Sequence, residues 1–132
     1  MWLNEGLAQY FETSYVVNQK LVVGSVSAEK LNAMNDLLRT KRAPATLAMV
    51  QMKPPEFYRE PTTSYPMSWA LVYYLQRGDY TVNPQKTFRA YLEDVKLGLT
   101  DAATFQKHFG ADTPAWQARF EQFIGKLKSQ VN

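Results

Sequence analysis

The sequence predicts a mainly α-helical fold, a multi-helix bundle with a minor β-hairpin or extended segment near residues 15–23. Apolar residues recur at helical spacing through most of the chain, capping residues followed by proline open two late segments, and β-branched runs are short. The chain has 132 residues, of which 45% are hydrophobic and 14% aromatic. This length suits one domain, and this composition excludes an intrinsically disordered chain. We therefore interpret residues 1–132 as a single domain.

The first predicted helix covers residues 2–15. One face is apolar, and it carries Leu3, Leu7, Tyr10 and Phe11. The opposite side is mostly polar, and it carries Glu5, Ala8, Gln9 and Glu12. Glycine costs a helix interior about 1 kcal/mol relative to alanine, so Gly6 indicates a point where another backbone or a bound group approaches closely.

The next segments alternate between extended and helical patterns. Two β-branched runs, 15–17 and 21–23, predict a small hairpin or two extended segments. Ser27 has the position of an N-cap and predicts a helix over 28–39. After Pro44, residues 45–52 predict a short helix.

Prolines then interrupt the pattern. Residues 53–64 are predicted to form a loop with at most one turn of helix, and we expect this loop to face a substrate. A helix from residue 64 or 65 to 77 follows, with Pro66 in its first turn. This helix is apolar nearly all round, which predicts that it is buried in the middle of the bundle.

Three further helices complete the predicted bundle. Asn83 caps one that ends near Leu97, and a shorter one runs from Asp101 to His108 and Phe109. Thr113 caps the last helix. Its apolar stripe carries Trp116, Phe120, Phe123, Leu127 and Val131.

The charge pattern argues against nucleic-acid binding. The net charge is +3, but residues 1–66 hold seven Lys and Arg against six Asp and Glu, and residues 67–132 hold eight against six. Such interleaving leaves no basic stripe to follow a phosphate backbone. No apolar run approaches the roughly 20 residues of a membrane span, so we expect no membrane insertion. Zero cysteines exclude disulfides and thiolate metal sites.

An eleven-residue motif near the start of the chain resembles a known family. The segment from Trp2 to Glu12 reads Trp-Leu-Asn-Glu-Gly-Leu-Ala-Gln-Tyr-Phe-Glu. It resembles the third-ligand helix of gluzincin zinc metallopeptidases, in particular bacterial families with a Trp-Leu-Asn-Glu-Gly-x-Ala-x-Tyr-Phe-Glu signature. The order of later segments is similar as far as about residue 98. The resemblance implies that this chain is the C-terminal helical lobe of such a peptidase domain.

The resemblance also implies roles for individual residues. In these families a His-Glu-x-x-His helix supplies two zinc ligands and the general base, and the glutamate of Asn-Glu-Gly is the third ligand. That role falls on Glu5, with Asn4 and Glu12 as candidates for supporting hydrogen bonds around the site. Tyr65 is the candidate for stabilising the oxyanion of a tetrahedral intermediate. For Glu12 and Tyr65, a surface ion pair and simple packing remain the alternatives.

The chain departs from the family pattern in one decisive respect. It contains a single histidine, His108, and no His-Glu-x-x-His segment. We therefore expect the missing ligands and base in an upstream part of the same domain, which would be this chain's main partner. The intact parent would bind zinc and hydrolyse a peptide or protein substrate, whereas this chain alone would bind no zinc and be inactive. Because such families are often exported, the resemblance implies an exported or envelope-associated parent.

Two other functions remain open at this stage. The first is a non-catalytic helical module for protein interaction, in which the motif persists only as a packing element. The second is a self-sufficient hydrolase using His108, although a contact with the C-terminal end of its helix explains that residue more simply. If an upstream part is missing, we expect an exposed apolar patch near the first helix and a homodimer that covers it.

Overall fold

The structure is a computed structural model and describes residues 1–111 and 113–131. In this part of the chain there are eight helices, with α5 at their centre, and a single two-stranded antiparallel sheet projects from the bundle. The mainly α-helical prediction with a minor hairpin is confirmed. The elements are α1 (Trp2–Phe11), β1 (Tyr15–Val17), β2 (Lys20–Val22), α2 (Ala28–Arg39), α3 (Thr46–Gln51), α4 (Pro54–Arg59), α5 (Pro61–Arg77), α6 (Pro84–Lys96), α7 (Ala102–Phe109) and α8 (Pro114–Gly125).

Helix α5 is the centre of the core. Every residue from 67 to 75 is buried, as its apolar sequence predicts, and α1, α2, α3, α4, α6 and α8 all pack against it. Helix α1 approaches it most closely at Gly6. A Cβ atom on Gly6 would lie 2.6 Å from the carbonyl oxygen of Ser68 and 2.5 Å from Cγ2 of Val72. Gly6 therefore allows the backbone of α5 to approach closely. The sequence predicted either another backbone or a bound group at this position.

The hairpin lies where it was predicted. Val17 pairs with Lys20, so Asn18 and Gln19 form a two-residue turn, with φ values of 50° and 63°. Positive φ at both central residues is the geometry of a type I′ turn, whose twist matches that of the two strands. Of the described helices, none is long and apolar enough to cross a membrane.

Helix α1 is shorter than predicted and turned about its axis. It ends at Phe11 and not near residue 15, and Phe11 is 51% exposed and not part of the core face. Trp2 takes its place, stacked on Tyr91 with ring centroids 6.4 Å apart and edge-on to Phe105 at 5.7 Å. These aromatic partners come from α6 and α7, and they rotate the buried face of α1 towards Trp2 and Gly6.

The loop predicted over residues 53–64 is largely helical. Pro54 opens α4 and Pro61 opens α5, both at positions where the missing N–H costs nothing. Helix α5 therefore begins three or four residues earlier than predicted, and Pro66 lies in its interior and not in its first turn. Phe57 is fully buried, and that burial holds α4 against the core.

The last helix is also shorter than its apolar stripe suggests. Helix α8 ends at Gly125, and the following segment turns back to the start of α2. The Ala28 amide donates to the Val131 carbonyl at 2.8 Å, and the Gln130 amide donates to the Val26 carbonyl at 2.7 Å. Val131 therefore forms a parallel bridge with Ser27 and does not extend α8.

Candidate functional site

The polar side of α1 meets α4 at Glu5. The Tyr58 hydroxyl donates a hydrogen bond to Oε1 of Glu5 at 2.8 Å. Glu5 is half-buried and Tyr58 is 46% exposed, so the pair lies at the surface and is open to solvent on one side. One carboxylate oxygen of Glu5 is thus fixed by a phenol, at the position where the sequence predicted a metal ligand.

Helix α4 positions Tyr58 through its neighbour in sequence. Phe57 is buried, its carbonyl accepts a hydrogen bond from the Ser64 hydroxyl at 2.6 Å, and its ring meets that of Tyr58 edge-on at 5.2 Å. Because consecutive helical residues point about 100° apart, burying Phe57 directs Tyr58 to the surface beside α1. The position of the phenol is therefore set by the packing of the core.

The contact also sets the protonation of the phenol. The hydrogen bond to Glu5 raises the pKa of Tyr58 above its ordinary value, and desolvation and the negative charge of Glu5 act in the same direction. The neutral phenol is thus favoured over the phenolate beside this carboxylate. Tyr58 remains a hydrogen-bond donor across the physiological range of pH.

Tyr65 lies close to this pair but is not its hydrogen-bond partner. Its ring centroid is 6.2 Å from that of Phe57, and its side chain lines a surface groove with Gln9, Glu12 and Lys30. Within the described residues, the side-chain hydrogen bond to Glu5 comes from Tyr58 and not from Tyr65. The structure therefore brings both tyrosines to the polar side of α1, with Tyr58 in direct contact.

Glu12 forms an ion pair farther along the same side of α1. Its Oε2 lies 2.8 Å from Nζ of Lys30 on α2, and the same ammonium donates to Oε1 of Gln9 at 2.9 Å. The Lys30 side chain is only 11% exposed, whereas that of Glu12 is 61% exposed. The carboxylate is thus engaged by a lysine that joins α1 to α2.

Asn4 occupies the first turn of α1 and is exposed. The helix begins at Trp2 and its N-cap is Met1, so Asn4 does not cap the helix start. Its side chain lies one position before Glu5, on the open side of the helix.

The described residues do not assemble a complete metal site. They contain no group of three or more His, Cys, Asp and Glu side chains that could hold a metal ion. A catalytic zinc ion requires three protein ligands. Glu5 could serve as one ligand only if further ligands reached it from other polypeptide.

His108 belongs to a different contact. Its Nε2 lies 2.6 Å from Oδ2 of Asp94, and Nζ of Lys107 lies 3.2 Å from the same oxygen. The hydrogen bond from His108, followed by that from Lys107, lowers the pKa of Asp94. His108 therefore lies in the last turn of α7, at the helix end where the sequence placed it, and also joins α7 to α6 through a carboxylate.

Comparison with known proteins identifies the family. Residues 1–94 match the family described as "Protein of unknown function (DUF1570)", which is more than half of the chain. The chain belongs to the DUF1570 family. No curated protein and no solved structure matches it. The DUF1570 match contains α1, α4 and α5, and so Glu5, Tyr58 and Tyr65, whereas His108 lies outside it.

Sequence reasoning missed Tyr58 in this DUF1570 chain. The consecutive prolines 54 and 55 favour a loop in the sequence, but proline is also common in the first turn of a helix. A helix beginning there would have placed Phe57 and Tyr58 on adjacent faces, one apolar and one polar. The contact with Glu5 spans 53 residues, and no local signal predicts it.

Proposed function

We propose that this DUF1570 chain forms the helical lobe of a zinc metallopeptidase-like domain, to which Glu5 contributes one metal ligand. The observation that carries the proposal is the hydrogen bond of 2.8 Å from Tyr58 to Oε1 of Glu5. It orients a half-exposed carboxylate within the very motif that resembles a third-ligand helix. Ligand carboxylates in metal sites are commonly held in this way by a neighbouring hydrogen-bond donor.

The remaining ligands must come from outside these residues. One carboxylate does not hold zinc with useful affinity, and the described residues offer no set of three ligands that includes Glu5. We propose that another part of the same domain supplies two histidines and the general base in a His-Glu-x-x-His helix. In such a site zinc activates a water molecule and polarises the peptide carbonyl.

The chain's own residues would then orient and border the site. Tyr58 holds one oxygen of Glu5 and leaves the other available. Tyr65 lines the adjacent groove and stays the candidate donor to the oxyanion of the peptide substrate. Helix α4 and the first turn of α5 take the place of the substrate-facing loop expected over residues 53–64.

Peptidase activity tests the proposal. The chain should be extended upstream until it includes a His-Glu-x-x-His segment, and hydrolysis of an unstructured protein should be measured with and without zinc. We expect zinc-dependent hydrolysis, lost in Glu5→Gln and retained in Glu93→Gln, a matched control at an exposed glutamate of α6 outside the site. The 132-residue chain with added zinc should hydrolyse nothing. Hydrolysis unaffected by Glu5→Gln would refute the role of Glu5.

A non-catalytic interaction module is the second candidate, and a different observation favours it. Apolar side chains are exposed at the end of α1 and on the hairpin that follows it, with Phe11 51%, Val16 67% and Leu21 66% exposed. Val16 and Leu21 pair across the hairpin. Clustered apolar side chains of this kind mark protein interaction sites, including the homodimer expected from the sequence.

Sedimentation velocity tests this second candidate function. A dimer that Val16→Lys dissociates would support it, and a monomer at all concentrations would exclude the homodimer.

A further inference from the structure

A second concave site lies on the other side of α1. A groove of about 420 Å³ opens where the C-terminal end of α5, the start of α6 and the Val23 segment meet α1. This volume falls in the range of about 300–1,000 Å³ that is typical of small-molecule sites. Its apolar wall consists of Leu7, Phe11, Phe88 and Leu92.

The charged groups that line this groove are both cationic. Arg77 and Arg89 supply guanidinium groups, and no aspartate or glutamate is among the described residues that line it. Within the described part of the chain, neither arginine forms an ion pair with a carboxylate. Guanidinium groups bind carboxylates through two parallel N–H donors, so the charge of the groove selects an anion.

Arg77 is held in place before any ligand arrives. Its Nε donates to the Tyr10 hydroxyl at 3.0 Å, and one of its terminal nitrogens donates to the Val23 carbonyl at 2.9 Å. The guanidinium also lies over the Tyr10 and Tyr73 rings, 5.9 Å and 5.6 Å from their centroids. Such contacts reduce the conformational entropy that Arg77 would lose on binding a ligand.

The backbone at Gly24 makes this arrangement possible. Gly24 has φ +68°, and a Cβ atom there would overlap the Tyr10 ring. Only glycine adopts this conformation at low cost and leaves room for the ring. Tyr10 can therefore lie under Arg77 and accept its hydrogen bond.

Gln76 adds an unused donor to the same groove. Its side-chain nitrogen is shielded from solvent and has no acceptor among the described residues, although the residue lines the groove. A buried donor without a partner carries a desolvation cost of about 1–3 kcal/mol. An oxygen atom of a bound anion would remove that cost.

We propose that this groove binds a medium-chain fatty acid, with its carboxylate at Arg77, Arg89 and Gln76 and its chain along the apolar wall. A free peptide fits less well, because no carboxylate among the described lining residues would accept its amino group. This site is independent of Glu5, so its failure would leave the proposed peptidase role untouched.

Calorimetric titration of the full chain with decanoate tests the site. We expect saturable binding at one site, weakened at least about tenfold by Arg89→Glu, since reversal of one of two charges turns attraction into repulsion. Lys96→Glu is the matched control, because Lys96 lies at the far end of the same helix and outside the groove. It should change the affinity less than about twofold, in keeping with screening of a distant charge. Circular dichroism should show that both variants are folded.

Two further ligands separate the contribution of the charged headgroup from that of the alkyl chain. Decyltrimethylammonium has the same chain with the opposite charge and should not bind. The dipeptide Phe-Leu should bind more weakly than decanoate. The proposal is overturned by the absence of saturable decanoate binding, by equal binding of the ammonium compound, by stronger binding of the dipeptide, or by an unchanged affinity in Arg89→Glu.

Discussion

At the scale of single residues, the pair Glu5 and Tyr58 has a measurable electrostatic signature. The hydrogen bond to Glu5 is the largest cause of the raised pKa of Tyr58, whose ordinary value is 10.0. We predict that Glu5→Ala lowers the pKa of Tyr58 towards 10.0. NMR of tyrosine labelled with ¹³C at the ring carbon that bears the hydroxyl would follow each phenol separately.

The matched control for this titration is Glu12→Ala. Glu12 lies on the same helix and pairs with Lys30, so its removal changes the net charge equally without touching Tyr58. An equal pKa change of Tyr58 in the two variants would mean that the direct hydrogen bond has no special effect.

Gly6 tests the close packing of α1 on α5. Alanine gains about 1 kcal/mol in helix propensity, but the new Cβ would lie 2.6 Å from the Ser68 carbonyl oxygen. Overpacking against backbone typically costs about 1–3 kcal/mol, so we predict that Gly6→Ala lowers the free energy of unfolding. Urea denaturation measures it.

Gly125→Ala provides the comparison. Gly125 is likewise a helical glycine, the last residue of α8, but nothing lies within 4 Å of a Cβ atom placed there. The propensity term then acts alone, and the variant should be unchanged or up to about 1 kcal/mol more stable. Equal stabilisation by both substitutions would contradict the tight contact at Gly6.

At the scale of elements, Asp94 on α6 is the acceptor that joins α7 to it. Its pKa is lowered by His108 and then by Lys107, from an ordinary value of 3.8. A carboxyl group whose pKa is depressed on folding adds stability above 3.8, and that stability is lost as the pH falls through its folded pKa. We predict that Asp94→Asn lowers the melting temperature at neutral pH, by an amount that shrinks on acidification below 3.8.

Glu93→Gln is the control for this pH series. Glu93 is the preceding residue and pairs with Lys96 on the same exposed helix surface. Exposed pairs of this kind contribute about 0–1 kcal/mol, so its melting curve should follow that of the unsubstituted chain. A deficit in Asp94→Asn that did not depend on pH would exclude the ion pair as its cause.

Elements with a strong local signal were predictable from the sequence. Helix α2 begins and ends where predicted, since the Ser27 side chain accepts a hydrogen bond from the Lys30 amide, as an N-cap should. Asn83 and Thr113 cap their helices in the same way. Burial of α5 followed from its composition alone.

Features that depend on distant contacts were not predictable. The buried face of α1 is set by Tyr91 and Phe105, and no periodicity within α1 encodes these partners. In the candidate site, too, one residue was predictable from the sequence and the other was not. Glu5 was singled out by the resemblance of its motif, whereas Tyr58 reaches it only because Phe57 anchors α4 in the core.

At the scale of the whole molecule, buried tyrosines make the fold sensitive to alkali. Burial raises the pKa of Tyr91 from 10.0 to about 12, and burial also raises the pKa values of Tyr74 and Tyr80. A phenol whose pKa is raised on folding adds stability below 10.0, and that stability is lost as the pH rises towards 12. We predict a steep loss of stability across this interval.

Tyr91→Phe should flatten that loss, because one of the buried phenols no longer ionises. Tyr15→Phe is the control, since Tyr15 is 41% exposed on the hairpin. Thermal unfolding followed by circular dichroism at several pH values compares them. Identical pH profiles for the two variants would contradict the link between burial and alkaline unfolding.

For the molecule as a whole, we propose that Glu5 is one ligand of a zinc site shared with other polypeptide. Metal content by mass spectrometry tests this claim most directly, on the 132-residue chain, on a form extended upstream through a His-Glu-x-x-His segment, and on Glu5→Gln in the extended form. We predict one zinc per chain in the extended form and none in the other two. Stoichiometric zinc in the Glu5→Gln variant, or no zinc in the extended form, would contradict it.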